Sequence, residues 1–208
     1  MHRAGARLSD GLNSYVMRPH YLYVAGFADG VEKVGTAVDF RKEDRLVEQG
    51  AVLATRVAYC SDGKMVRHLE DAVSSSLGLT QRHSVNDKAR GLANPVSPAN
   101  LRSEHGRVVD GVCAFVSRLH WQGVESIREN WGSEDRIELA CGMCDRTLYP
   151  NDVRVGEHGL AVQGSFGLVI LGTSDCYDLV VNLSTLISRR VQVGPFISSL
   201  PPKQDSLF

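Results

Sequence analysis

Apolar and polar positions follow three rhythms along the chain, and each predicts a different kind of structure. Over residues 20–70, short β-rich runs alternate with helical stripes. Tyr21-Leu22-Tyr23-Val24-Ala25-Gly26-Phe27 is a run of strand formers suited to a buried strand. Asp29-Gly30 predicts a hairpin turn, and residues 31–38 return as a second strand. Gly35 within it marks a place where a backbone or ligand approaches closely. Asp39 is placed to cap a helix bearing Arg41, Arg45, Leu46 and Gln49, and Gly50 is suited to end it in a left-handed conformation. Residues 51–59 read as a third strand. After Ser61-Asp62-Gly63, the spacing of Val66, Leu69, Val73 and Leu77 predicts an amphipathic helix. Glu70 flanks that stripe, at the edge of the face to be buried.

The second rhythm is helical. Val109, Val112, Val116 and Leu119 recur at three- and four-residue steps and predict a helix across residues 105–131, interrupted near Gly123. The stretch before it, residues 80–104, is polar and carries Gly91, Pro95 and Pro98, which reads as helix end, loop and linker. Residues 136–140, 159–163, 166–171, 179–183 and 190–193 are short β-rich runs between Gly, Ser and Asp clusters, predicting a small antiparallel sheet or partial barrel. The expected fold is therefore α/β. A polar arm over residues 1–18 precedes a small mixed sheet flanked by helices over 19–95. A helical connector over 96–133, a β-rich domain over 134–199 and a tail over 200–208 follow.

Composition adds limits. The 208 residues are 43% hydrophobic and 23% charged, as in an ordinary globular protein, and carry a formal net charge of −1. No apolar run approaches the roughly 20 residues that cross a bilayer. The opening MHRAGARLSDG has no apolar core and does not read as a secretory signal. A cytoplasmic protein is expected. The balanced charge does not advertise nucleic-acid binding, although Arg82, His83, Lys88, Arg90, Arg102, His105 and Arg107 make residues 82–107 locally basic. A solvated surface explains such a run equally well. The cysteines, Cys60, Cys113, Cys141, Cys144 and Cys176, are odd in number, which argues against a disulfide framework. Cys141-Gly142-Met143-Cys144 has the spacing of half a zinc knuckle. A structural Zn²⁺ would need Cys113, Cys176, His120 or His158 brought to it. A reduced, structural pair fits the spacing equally.

The succession HYLYVAGF, KVGTAVDF, an arginine-bearing helix ending EQGA, and KMVRHLE resembles the GIY-YIG nuclease superfamily. More narrowly, it resembles a bacterial domain-of-unknown-function family whose core reads YLA…KVGIT…R…QGA. The resemblance covers residues 20–92 best and extends to GLAVQGSFGLVIL…LVVNLS near the end. The Cys-rich upstream segment of many members is absent, so nothing about their metal transfers. The resemblance implies metal-dependent cleavage of DNA. Phosphodiester hydrolysis needs an activated water and a stabilised phosphorane, and a carboxylate-held metal beside Arg or Lys meets that need. Tyr23 falls on the first-strand tyrosine that helps activate the nucleophile, and Lys33 occupies the second tyrosine's place. Arg45 matches the phosphate-stabilising arginine, Glu70 the carboxylate for Mg²⁺ or Mn²⁺, and Asn86 the superfamily's late asparagine. A lysine can orient water and balance charge, but it does not replace a phenol in kind. Each residue also has a plainer reading. Tyr23 suits a packed core aromatic, Lys33 an edge-strand charge, and Arg45 with Glu70 a salt bridge between helices.

The last five residues, Gln204-Asp205-Ser206-Leu207-Phe208, resemble the bacterial sliding-clamp-binding motif, usually Gln-Leu-Ser/Asp-Leu-Phe. Gln204, Leu207 and Phe208 keep its anchors, while Asp205 stands where Leu is usual. Through that resemblance the partners become DNA and the sliding clamp (the DNA polymerase III beta subunit), at the nucleoid. The expected function is a metal-dependent endonuclease of DNA repair or replication. The alternative is a non-catalytic DNA- and clamp-binding adaptor on a degenerate fold, and an RNA-directed or small-molecule enzyme is a further rival.

Overall fold

A computed structural model describes residues 9–143, 145–174 and 177–200. In chain order the elements are α1 (Asp10–Val16), β1 (His20–Gly26), β2 (Glu32–Val38), α2 (Lys42–Gln49), β3 (Leu53–Cys60), α3 (Gly63–Leu77), α4 (Val85–Ala93), α5 (Pro98–Leu119), β4 (Val124–Trp131), α6 (Glu134–Cys141), β5 (Arg146–Leu148), β6 (Ala161–Phe166), β7 (Val169–Ser174) and β8 (Tyr177–Asn182). They form a mixed α/β fold with two four-stranded sheets, ordered β2-β1-β3-β4 and β5-β8-β7-β6. The first sheet is antiparallel throughout, and in the second β5 runs parallel to β8.

The hairpin forms where Asp29-Gly30 predicts it. Gly30 has φ +80°, and the Asp29 carboxylate accepts the Val31 amide at 3.2 Å. Strand alternation then sends successive β1 residues to opposite faces. Leu22 and Val24 join Val34 and Val57 against Val66, Leu69 and Val73 of α3 and Val109, Val112 and Val116 of α5. Tyr23, Ala25 and Phe27 face the other way, with Ala37, Ala54 and Leu46 of α2. A polar chain crosses the α5 side. Glu32 Oε2 meets His105 Nδ1 at 2.9 Å, His105 Nε2 meets Thr55 Oγ1 at 2.9 Å, and Thr55 donates to Asn130 at 3.0 Å.

Several segments differ from the expectation. The N-terminal arm contains α1, started by Ser9, and its Tyr15 ring meets those of His20 and Phe40 edge-on. Asp39 does not cap α2. It begins a 3-10 turn over Asp39–Arg41 and accepts Lys42 Nζ at 3.2 Å instead. The expected linker holds α4 and the start of α5. Its Ser84, Ser97 and Pro98 are helix-start signals, the serines capping through their hydroxyls. Residues 124–131 are not helix but β4, paired to β3 from Cys60↔Val124 to Ala54↔Trp131. Residues 136–140 lie in helix α6, and residues 190–193 form no strand.

The two sheets share one core. Val52, Leu53, Ala89, Leu92 and Leu101 pack with Ile137, Ala140, Phe166, Val169, Leu171 and Val180. Gly50 ends α2 with φ +69° against the β6–β7 turn, where a Cβ would lie 2.6 Å from the Phe166 carbonyl. Arg136 donates to the Ala51 carbonyl at 2.8 Å, with its guanidinium 4.3 Å from the Phe166 ring centroid. The packing therefore does not divide at residue 95. Among the described residues no helix is long and apolar enough to cross a membrane.

A shared core predicts shared melting. Phe166→Ala should cost about 3–5 kcal/mol. Of the two tryptophans, Trp121 precedes β4 and Trp131 is its last residue, so their fluorescence reports the first sheet during urea unfolding. The expected outcome is one transition, moved to lower urea by this change in the second sheet. An unmoved tryptophan transition would show two independent units.

Candidate active site

Tyr23 and Gly35 are direct partners across β1 and β2. A Cβ on Gly35 would sit 2.5 Å from the Tyr23 hydroxyl and 2.6 Å from Cζ, so the ring lies across a space only glycine leaves open. The side chain is 1% exposed, and its hydroxyl makes no well-formed hydrogen bond. Burial raises its pKa, while the charge of nearby Arg45 pulls the other way without a bond of good geometry between them.

Lys33 lies one pleat away on the same face, opposite Ala25. It does not serve as an exposed edge charge. The residue is 6% exposed, and the β2 edge is covered where the Val34 amide donates to the Thr80 carbonyl at 3.0 Å. Lys33 Nζ donates to Gln49 Oε1 at 2.5 Å, near the end of α2. Burial above all, then the charges of Lys88, Arg45 and Arg67, lowers its pKa to about 8 against the opposing pull of Glu70.

Glu70 is 3% exposed on α3 and does not bridge to Arg45. Its carboxylate takes Arg67, one turn earlier on its own helix, at 2.5 Å. Burial raises its pKa, opposed chiefly by Arg67. Arg45 of α2 acts electrostatically on Tyr23, Lys33 and Lys88. Four sequence-distant candidates, Tyr23, Lys33, Arg45 and Glu70, are thus brought within electrostatic reach of one another.

Two members of this group escape a reading of the sequence. Lys88, 9% exposed on α4, donates to the Gln49 carbonyl at 2.7 Å and lies 4.8 Å from the Phe27 ring centroid. Burial and then Arg45 lower its pKa. The signal was its place between Val85 and Leu92 on one helical stripe, visible once residues 85–93 are known to be helix. The other is Arg67, whose spacing from Glu70 is that of an i, i+3 helix pair.

Other candidates lie elsewhere. Asn86 faces the second sheet, where Asn182 donates to its side-chain oxygen at 2.7 Å, so it does not join the Tyr23 group. Cys141 ends α6 in the shared core, whereas Cys113 packs against the core formed by α3 and α5. His120 bonds its own chain at the Arg118 carbonyl, and His158 meets the Tyr149 hydroxyl at 2.7 Å. Among the described residues, Cys141, Cys113, His120 and His158 are therefore not gathered. Cys144, Cys176, Gln204, Leu207 and Phe208 lie outside the described residues. Among the described residues no group of three or more His, Cys, Asp or Glu could hold a metal ion. Much of the basic stretch over 82–107 is paired, Arg90 with Asp87, Arg107 with Glu104, and Arg102 with Glu134 and Glu138.

A model of the family described as "Protein of unknown function (DUF2797)" matches residues 5–135. That span contains all of the first sheet, β4 included, and none of the second. No curated protein and no solved structure matches the chain.

The depressed lysine gives a pH signature. Between about 8 and the ordinary 10.5, Lys33 has lost its proton in the folded state and keeps it unfolded. Stability must therefore rise with pH across that window, by up to roughly 3 kcal/mol. Urea unfolding at several pH values should show this rise in the wild type and a smaller one in Lys33→Met. Parallel profiles would show that Lys33 titrates normally.

Proposed function

We propose that this chain, which belongs to the DUF2797 family, is a metal-dependent DNA endonuclease of GIY-YIG type, acting in repair or replication and recruited by the sliding clamp. The observation that carries the reading is the convergence of Tyr23, Lys33, Arg45 and Glu70 from β1, β2, α2 and α3 around the Tyr23–Gly35 contact. Their order is that of the superfamily resemblance, with Lys33 standing where it has its second tyrosine.

In this reading Lys33, a cation below its pKa of about 8, helps orient the attacking water and balances charge on the phosphate. Tyr23, kept in its neutral form by burial, orients that water through its hydroxyl. Arg45 balances the charge that grows on the phosphate. Glu70 is the one carboxylate among the grouped candidates, so it fits only an ion that takes most of its ligands from water and substrate phosphate. Mg²⁺ behaves in this way, and Mn²⁺ shares its preference for oxygen ligands. When bound there, such an ion supplies Lewis-acid stabilisation of the phosphoryl oxygens. Residues 204–208 would tether the enzyme to the clamp and raise its local concentration at DNA.

The pairing of Glu70 with Arg67 favours one other reading, a DNA- and clamp-binding adaptor whose carboxylate is already neutralised. A cleavage assay separates the two. Duplex, flap, branched, mismatched and lesion-bearing DNAs would be incubated with Mg²⁺ or Mn²⁺, with and without clamp. The expected result is metal-dependent cutting, lowered about 10²–10³-fold by Glu70→Gln or Arg45→Ala. Removing residues 204–208 should abolish only the stimulation by clamp. A folded protein that binds DNA and clamp but cuts no substrate is the adaptor.

A further inference from the structure

Lys33 and Lys88 approach the same residue from two elements. Lys33 of β2 donates to the side chain of Gln49 at 2.5 Å, and Lys88 of α4 to its backbone carbonyl at 2.7 Å. An ammonium has three donors, and each lysine gives one to Gln49. Both residues are under a tenth exposed, and each charge raises the cost of the other. Arg45 from α2 and Arg67 from α3 add two more cations within electrostatic reach of Lys33. Tyr23 of β1 is within reach of the same two arginines. The acidic groups in reach are already engaged. Glu70 is paired with Arg67, and Asp29, which acts on Lys88, lies 3.1 Å from His83.

Burying like charges together is costly unless an anion shares the site. Two ammonium donors converging from β2 and α4, with further cations on α2 and α3 in electrostatic reach, suit a group with several charged oxygens. A single carboxylate would satisfy fewer of them. We infer that Lys88 is a substrate-binding residue, which with Lys33 forms a seat for a phosphate group of nucleic acid. The inference rests on the proposed phosphodiester reading for its ligand, and not on hydrolysis. The phosphate is either an internal diester or a terminal monoester, two sources of one chemistry. A lysine that merely caps the last turn of α2 would lower stability when removed and leave phosphate binding alone.

Inorganic phosphate is the first probe, titrated calorimetrically into the full chain at constant ionic strength. Saturable binding is expected, weakened about tenfold or more by Lys88→Met and largely restored in Lys88→Arg. Arg107→Gln, a change at an exposed salt bridge on α5, should leave it unchanged. Absence of saturable binding, or equal affinity in Lys88→Met, overturns the seat. The wild type provides a check that does not depend on any variant folding. Affinity should fall as pH rises through about 8, where Lys33 loses its proton, and a flat profile counts against the seat. Short duplexes with 5′-phosphate or 5′-hydroxyl ends identify the source. A Lys88→Met defect on both supports an internal diester, a defect on the phosphorylated duplex alone supports a terminal group, and no defect on either overturns the proposal. Phosphate binding retained without any DNA cutting would remove the hydrolase reading alone. Cutting retained without phosphate binding would remove this seat alone.

Discussion

Gly35 has no side chain, and the Tyr23 ring uses that space to lie across β2. The position of everything else in the site follows from this contact. With the ring lying across the strand, its hydroxyl comes within electrostatic reach of Arg45 of α2 and Glu70 of α3, although one helix precedes β3 and the other follows it. Lys33 then stands on the same face, because strand alternation fixes residues two apart to one side. A larger residue at 35 would have to displace an aromatic ring that is almost wholly buried.

The second constraint is electrostatic. Lys33, Lys88 and Glu70 are all buried, and their pKa values move towards the neutral forms, as desolvation dictates. The fold holds them by giving each a specific partner. Gln49 takes both lysines, the Phe27 ring lies beneath Lys88, and Arg67 takes Glu70. Such an arrangement sacrifices stability to keep ionisable groups buried.

How legible this was in the sequence depended on whether the signals were local. The hairpin, the α3 stripe and the Gly50 stop each rest on neighbouring residues, and the structure has all three. Strand β4 was hidden because Val124, Ile127 and Trp131 recur at helical steps. These are its partly buried positions, and the ladder shifts register between Arg56 and Ala58, which breaks simple alternation. Ser84, Ser97 and Pro98 were ambiguous, since the same residues punctuate loops and begin helices. Tyr23, Lys33, Arg45 and Glu70 could be named because an ordered motif carries them. Lys88 could not, because nothing local reveals that a charged residue on α4 turns inward towards the end of α2. Nor does the spacing of Cys141 and Cys144 say that Cys141 ends a helix packed in an apolar core.

Every residue gathered around Tyr23 precedes Asn94, yet the supports of that region come from far downstream. β4 pairs the open side of β3, Arg136 holds the Ala51 carbonyl, and the β6–β7 turn lies against the left-handed end of α2. The early segment is therefore not portable. Grafted onto another chain without its later half, it would carry the grouped side chains but leave the β3 ladder and the Gly50 corner open. Recombination that exchanged the downstream sequence would have to bring a matching turn, arginine and strand with it. In this lineage, changes in the second sheet are thus changes to the mounting of the site, even where they touch none of its residues.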